Sequence, residues 1–531
     1  MILYVISFFV IFYAVIIKSK KSLHMLQQNL YNENNRYLKW IKSNLKVAFW
    51  YLDIISLICF ILACIFKNDF SIVFIVLALI ILLLDAEIIK YNIKIEKVKK
   101  PLVKTSRVKR IIVVLYIVNL IPLFVYLIVP NINYLMLILA NLLLVLNYIV
   151  VYIVKVINTP IEKYVYHHFW NMAIKKLNSM NNLQVIGITG SYGKTSSKNI
   201  LNEILSINYI SCPTPKNFNT DLGLMNTVNN YLNKFDEIFI AEMGAYRVGR
   251  IENACKLVKP KYGLLTTIGK AHLETFGSQE NIIKTKFELI ESLPSDGIAF
   301  LNMDDPLQVN HNINNSVRKV WYAVDNKDAD VYASNIKCTS SGSKFKVFFK
   351  KENKSYDFET KLLGKHNISN IIAALSVGYE FNIPINKLQI AVKNIRPIEH
   401  RLELKKLGVM YQIDDAYNSN PVGAKVALEV LNMMSGTKVV VTPGMVELGS
   451  EEDKYNMEFG KQIAEVADYV ILVGEKKTKP IMDGLLSKKF KSDKIIVTND
   501  VREAYKLVGK LKGKEDIYAL FENDLPDTYN E

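Results

Sequence analysis

A short apolar stretch, Gln184–Thr189, runs into Gly190-Ser191-Tyr192-Gly193-Lys194-Thr195-Ser196 and then into a helical pattern reaching about Leu205. Strand, glycine loop, Lys-Thr and helix is the order that cradles a phosphate. Backbone N–H groups and the helix N-terminus face the anion, the Lys194 ammonium neutralises it, and the Thr195 hydroxyl can ligate Mg²⁺. Gly190, Ser191, Gly193, Lys194, Thr195 and Ser196 are therefore candidate nucleotide-binding residues. The spacing departs from the plain Walker form, because Ile188 stands five positions before Gly193. Downstream, a strand at Glu237–Ala241 ends on Glu242, and another at Tyr262–Ile268 leads to Gly269-Lys270-Ala271-His272. Ligands of an open α/β sheet sit at the carboxyl ends of its strands, so Glu242 and His272 fall where a magnesium ion beside the phosphate would be. Taken singly, Glu242 reads as a solvated strand end and His272 as a helix cap. Following successive strands behind a phosphate loop, they read as functional.

The elements that must hold these residues have an α/β pattern. Val331–Thr360 alternates at strand period, with Phe345, Val347 and Phe349 set against Lys344, Lys346 and Lys350, which predicts an antiparallel β insertion. Asn367–Phe381 predicts a helix closing the central domain. Strands near Lys438–Thr442, Tyr469–Val473, Lys494–Thr498 and Ile517–Phe521 are separated by helix-sized stretches and predict a Rossmann-like parallel sheet. No glycine fingerprint follows the first of them, so no dinucleotide site is expected.

The first third of the chain is different. Ile2–Ile17, Val47–Phe66, Phe70–Ile89, Ile111–Val129 and Ile132–Val154 are apolar and predict about five membrane spans. A cleaved signal peptide is the alternative for the first, opposed by the lack of a preceding basic residue and of a small-residue cleavage site. Residues 1–160 carry 18 Lys+Arg against 6 Asp+Glu, so most of the net charge of +16 sits in the greasiest part of the chain. Those cations gather between spans one and two (Lys18, Lys20, Lys21, Arg36, Lys39, Lys42, Lys46) and between spans three and four (Lys90 to Arg110). Basic loops stay cytoplasmic, which predicts an outside N-terminus and a cytoplasmic remainder after Lys155. Asp53, Asn119, Pro122, Asn141 and Asn147 interrupt the spans; polar groups at membrane depth can mark a lipid or substrate pathway, and helix–helix hydrogen bonding is the favoured reading. The rest of the chain is nearly neutral and offers no basic face for nucleic acid. Five cysteines without metal or disulfide spacing suit a reducing compartment. The expected organisation is an α-helical membrane domain over 1–157, a connecting helix over 158–182, and two α/β domains. These are a P-loop central ATPase domain over 183–397 and a Rossmann-like C-terminal domain over 398–531.

At a series of ordered motifs the soluble part resembles the Mur ligases, ATP-dependent amide-bond formers of peptidoglycan synthesis. They are Gly187–Thr195, Asn217–Gly223, Glu242-Met243-Gly244-Ala245, Ala271–Glu274 leading to Lys286, Gly364-Lys365-His366-Asn367, His400-Arg401-Leu402-Glu403, Asp414–Pro421 and Met445–Gly449. The resemblance is strongest to the branch that adds D-alanyl-D-alanine. It implies ATP and Mg²⁺ as cofactors, with Lys194 on the β/γ-phosphates, Thr195 and Glu242 on magnesium and His272 close to a second ion. It implies that Lys286, on a helix where a lysine is ordinarily solvated, becomes a carbamate that supports the metal site. Asn367, Arg401, Asp415, Tyr417 and Asn418 would surround the nucleotide, and Asn217, Asn219 and Thr220 would lie toward the acceptor substrate. Three departures stand out. Membrane helices replace the small domain that grips the uridine nucleotide, Pro443-Gly444 replaces Gly-Asp, and Phe521-Glu522-Asn523 replaces a Lys-Gly-Ser ending.

The expected activity is ATP-dependent ligation of a carboxylate to an amine through an acyl phosphate. The partners would be a UDP- or lipid-linked cell-wall precursor, an amino acid or dipeptide such as D-Ala-D-Ala, and a lipid bilayer. A membrane-bound polyamide or poly-γ-glutamate ligase and a membrane NTPase coupled to transport or regulation are the alternatives.

Overall fold

A computed structural model describes residues 2–66, 69–95, 101–129, 133–269, 273–408, 410–416, 419–446, 448, 451–511 and 516–523. The chain forms two compact units, residues 1–168 and 169–531.

The first unit is helical. Among the described residues three helices are long and apolar enough to cross a membrane: Ile2–Gln28, Phe70–Lys94 and Ser106–Ile128. The sequence predicts about five spans, and two of its five apolar stretches do not form a single helix of that length among the described residues. The second apolar stretch yields only the 16-residue helix Tyr51–Phe66, because the chain turns at Phe49 and Trp50. At 1.5 Å per residue that helix is about 24 Å long, short of the ~30 Å hydrocarbon core. The fifth stretch bends by 86° between Tyr134–Val145 and Asn147–Ile157, so at most this pair makes a fourth span. Lys18, expected among loop cations, is instead buried, paired with Asp53 and 2.7 Å from Asp85. Asn141 donates to Ser56 of a neighbouring helix at 2.7 Å, as expected of a helix–helix contact, whereas Asn119 serves its own helix through the Leu115 carbonyl.

The second unit carries two sheets. The first holds, among the described residues, β1 (Gln184–Thr189), β2 (Ser211–Pro213), β3 (Ile238–Glu242), β4 (Tyr262–Leu265), β5 (Ile298–Asn302), β6 (Arg318–Ala323), β7 (Val331–Thr339), β8 (Gly342–Phe349) and β9 (Lys354–Thr360). Their order is β2-β3-β1-β4-β5-β6-β7-β8-β9. Pairing is parallel as far as β7 and antiparallel beyond it, so the expected β insertion is an extension of this sheet. Its core packs Ile186, Ile188, Ile240 and Leu264 against Ile200, Ile204, Ile371 and Leu375 of the helices Lys194–Leu205 and Lys365–Glu380.

The second sheet is β10 (Glu403–Leu407), β11 (Met410–Asp415), β12 (Thr437–Thr442), β13 (Tyr469–Val473), β14 (Ile495–Thr498) and β15 (Ile517–Glu522), in the order β10-β11-β15-β12-β13-β14. Only β10 is antiparallel, at the edge. Separate apolar clusters cover its two faces, one under the helices Pro421–Asn432 and Glu452–Ala464 and one under Val501–Lys510.

Candidate active site

β1 delivers the chain into the glycine loop, and the loop is shaped by what it cannot accommodate. Gly190 has φ +150°, and a Cβ there would sit 1.9 Å from Thr266 Oγ1. That hydroxyl, at the end of β4, donates to the Tyr192 carbonyl at 2.7 Å. Gly193, at φ +79°, opens the helix Lys194–Leu205, whose first N–H groups lack intrahelical acceptors and face outward as an anion site. The Ser191 and Tyr192 N–H groups donate to the Thr267 carbonyl, at 2.8 and 3.2 Å. Lys194 folds back to donate to the Gly190 and Ser191 carbonyls at 2.8 and 3.1 Å. Burial lowers its pKa to about 8, opposed by Glu242 and reinforced by Arg401.

β3 presents Glu242 beneath this loop. Its Oε1 accepts from the Thr195 hydroxyl at 3.0 Å and the Asn219 amide at 3.2 Å, while Lys198 lies 3.1 Å from Oε2. One hydroxyl beside one carboxylate, next to a phosphate loop, is the sparse oxygen set that Mg²⁺ accepts when nucleotide phosphates complete its shell. No group of three or more His, Cys, Asp or Glu able to hold a metal occurs among the described residues. His272 lies outside the described residues, as do Tyr417 and Asn418.

Lys286 belongs to the helix Gln279–Glu291 and, contrary to the usual solvated lysine, sits on its buried face among Ile282, Phe287, Leu289 and Ile290. It lines a cavity of about 40 Å³ with Gly190, Ser191, Lys194, Asn219 and Gly244. Burial, then the Lys194 charge, holds its amine well below the ordinary lysine pKa.

A cleft of about 570 Å³ joins Thr195, Asn217 and Lys216 to His400 and Arg401. His400 and Leu402 both adopt positive φ, +59° and +48°, around Arg401. Asp415 accepts from the Leu402 N–H at 3.3 Å. Its carboxyl is raised to about 6, chiefly by burial. Asn367 is buried and donates to the Leu363 carbonyl at 2.9 Å, and Thr220 caps the helix Asp221–Asn230. Three residues escaped the sequence reading. Thr266 and Asn370 constrain the loop from other elements, and Lys198 lies one turn beyond Lys194, the spacing that would have flagged it.

Residues 188–378 match the Mur ligase middle domain and residues 400–521 the Mur ligase glutamate ligase domain. The UDP-N-acetylmuramoyl-tripeptide–D-alanyl-D-alanine ligase of Bacillus subtilis is 30% identical over 338 residues, 63% of this chain and 72% of that protein. The chain belongs to the Mur ligase family. The enzyme of the same name from Buchnera aphidicola (strain Bp) is 33% identical over 288 residues, and the chain spans 62% of its length. A MurF ligase from Thermotoga maritima, solved in complex with ADP, superposes with a TM-score of 0.59 at 25% identity, covering 67% of this chain and 80% of that one. Both family matches fall within the second unit, so this Mur ligase carries its helical unit outside them.

Proposed function

We propose that the protein is an ATP-dependent carboxylate–amine ligase of the MurF type, working from a membrane. It would join D-Ala-D-Ala or a similar amine to a cell-wall precursor through an acyl phosphate, releasing ADP and phosphate. The observation that carries this is the Thr195–Glu242 pair beside Lys194 of the glycine loop, with Thr195 and Arg401 lining one cleft, in a chain that aligns with D-Ala-D-Ala ligases.

Gly190, Ser191, Gly193 and Ser196 shape the phosphate cradle, and Lys194 leaves its carbonyl partners to offset charge on the transferred group. Thr195 and Glu242 would hold magnesium, with His272 near a second ion; when bound, the metal supplies charge neutralisation at the phosphates. Lys286, whose ammonium form is disfavoured by burial, would react with CO₂ and support that site as a carbamate. Asn367, Arg401, Asp415, Tyr417 and Asn418 would enclose the nucleotide, and Asn217, Asn219 and Thr220 would border the acceptor. Holding both substrates in register supplies the entropic share of the rate.

The apolar helices support a membrane location, and the cations at Lys20 to Lys46 and Lys90 to Arg110 favour a cytoplasmic catalytic unit with the N-terminus outside. The same helices favour a lipid-linked acceptor as a second reading. Detergent-solubilised protein supplied with ATP, Mg²⁺ and D-Ala-D-Ala tests both. Phosphate release that needs the UDP-linked tripeptide supports the first, and release with lipid-linked precursor alone supports the second. Release without either acceptor contradicts the ligase reading.

A further inference from the structure

The helix behind the glycine loop carries two lysines one turn apart, and they point to different tasks. Lys194 reaches back to the loop carbonyls, whereas Lys198 is buried to 1% exposure beside an equally buried Glu242. Its ammonium lies 3.1 Å from Glu242 Oε2 and donates to the Lys216 carbonyl at 2.6 Å. Lys216 is a non-glycine residue at φ +47°, a left-handed conformation that L side chains rarely adopt without an anchor. Three residues on, Asn219 returns to the same carboxylate, donating to Oε1 at 3.2 Å, and its carbonyl accepts from the Gly244 N–H at 2.7 Å. The 216–219 segment is thus held at both ends to one carboxylate, at one end through Lys198 and at the other directly. Lys216 and Asn217 of that segment line the same cleft as Thr195.

We propose that Lys198 is a positioning residue that locks the 216–219 loop onto Glu242, setting the acceptor side in register with the phosphate side. This rests on the ligase reading above. In this role Lys198 acts through its two partners, the Lys216 carbonyl and Glu242. Without it the loop relaxes from its left-handed turn, while Thr195 and Asn219 still hold Glu242.

The test uses full-length Lys198→Met and Lys198→Gln proteins. Hydrogen exchange in the absence of substrates reads the loop directly and needs no turnover. Lys198→Met should accelerate exchange across 216–219. Lys198→Gln, which keeps a donor for the Lys216 carbonyl, should fall between it and the wild type and also covers the case in which Lys198→Met fails to fold. In turnover, the acceptor KM should rise about tenfold or more while the KM for ATP stays within about threefold. Unchanged exchange at 216–219 in both variants overturns the proposal, as does a loss confined to ATP binding. If the wild type makes no ligase product yet the loop still loosens, the ligase reading fails and the loop lock stands.

Discussion

Lys286 shows how a residue's surroundings decide its chemistry. A lysine in water stays protonated at neutral pH and does not react with CO₂. Here burial and the neighbouring Lys194 charge disfavour the ammonium and so favour the neutral amine that carbamate formation requires. Nuclear magnetic resonance with ¹³C-bicarbonate should therefore show a carbamate signal in the wild type that vanishes in Lys286→Ala; equal spectra would contradict the assignment. Asp415 and Glu522 make a second case. They stand opposite each other in the register of β11 and β15, and burial raises both carboxyls, Asp415 to about 6. An acid raised in the folded state binds its proton more tightly there than in the unfolded chain. It adds stability below its ordinary pKa, and that stability is lost as pH rises through about 6. Thermal melts should show the second unit gaining stability from about pH 7 to about pH 5, and Glu522→Gln should flatten that slope while raising the melting temperature near pH 7. A wild-type profile with no slope would contradict the pairing. Neither residue's burial was legible in the sequence. Lys286 looks like any helical lysine until the helix is seen to pack that face inward, and Glu522 meets Asp415 only because β15 inserts beside β11.

At the scale of elements, what is local was legible and what depends on distant partners was not. The strand–glycine loop–helix unit could be read because its chemistry lies within consecutive residues, as could the β7–β9 alternation and four strands of the second sheet. The edge strand β10 and the strand β11 were missed, since Glu403–Leu407 alternates charged and apolar residues too weakly to stand out. The 86° bend at Leu146 has neither proline nor glycine to announce it. The glycine loop makes a sharp prediction. Gly190→Ala forces a Cβ onto Thr266 Oγ1 and should weaken binding of a non-hydrolysable ATP analogue by at least about tenfold in calorimetry. Gly509→Ala, where a Cβ meets nothing within 4 Å, should leave binding unchanged and stabilise its helix by about 0.5–1 kcal/mol. Equal behaviour of the two variants would refute the steric argument.

For the molecule as a whole, the excess positive charge of the first unit is partly an internal matter. Lys18 does not serve as a loop cation but ties helix Ile2–Gln28 to Asp53 and Asp85, partners 35 and 67 residues away in sequence and so invisible to local pattern. Removing one member of a buried ionic cluster strands the others, at a cost of about 3–5 kcal/mol. Lys18→Ala should therefore lower the melting temperature of the detergent-solubilised first unit, whereas Lys90→Ala, at an exposed pair, should not. The remaining cations, the apolar helices and the ligase unit are the basis of the proposal that this enzyme works beside a membrane on activated carboxylates. The most direct test of that account is mass spectrometry of product formed from ATP, Mg²⁺, D-Ala-D-Ala and a muramoyl-tripeptide precursor, with wild type and Lys194→Ala compared. The account predicts one new amide per ADP formed, and a fall of at least about 10²–10³-fold in Lys194→Ala. ATP hydrolysis without any amide product, or an undiminished yield from Lys194→Ala, would contradict it.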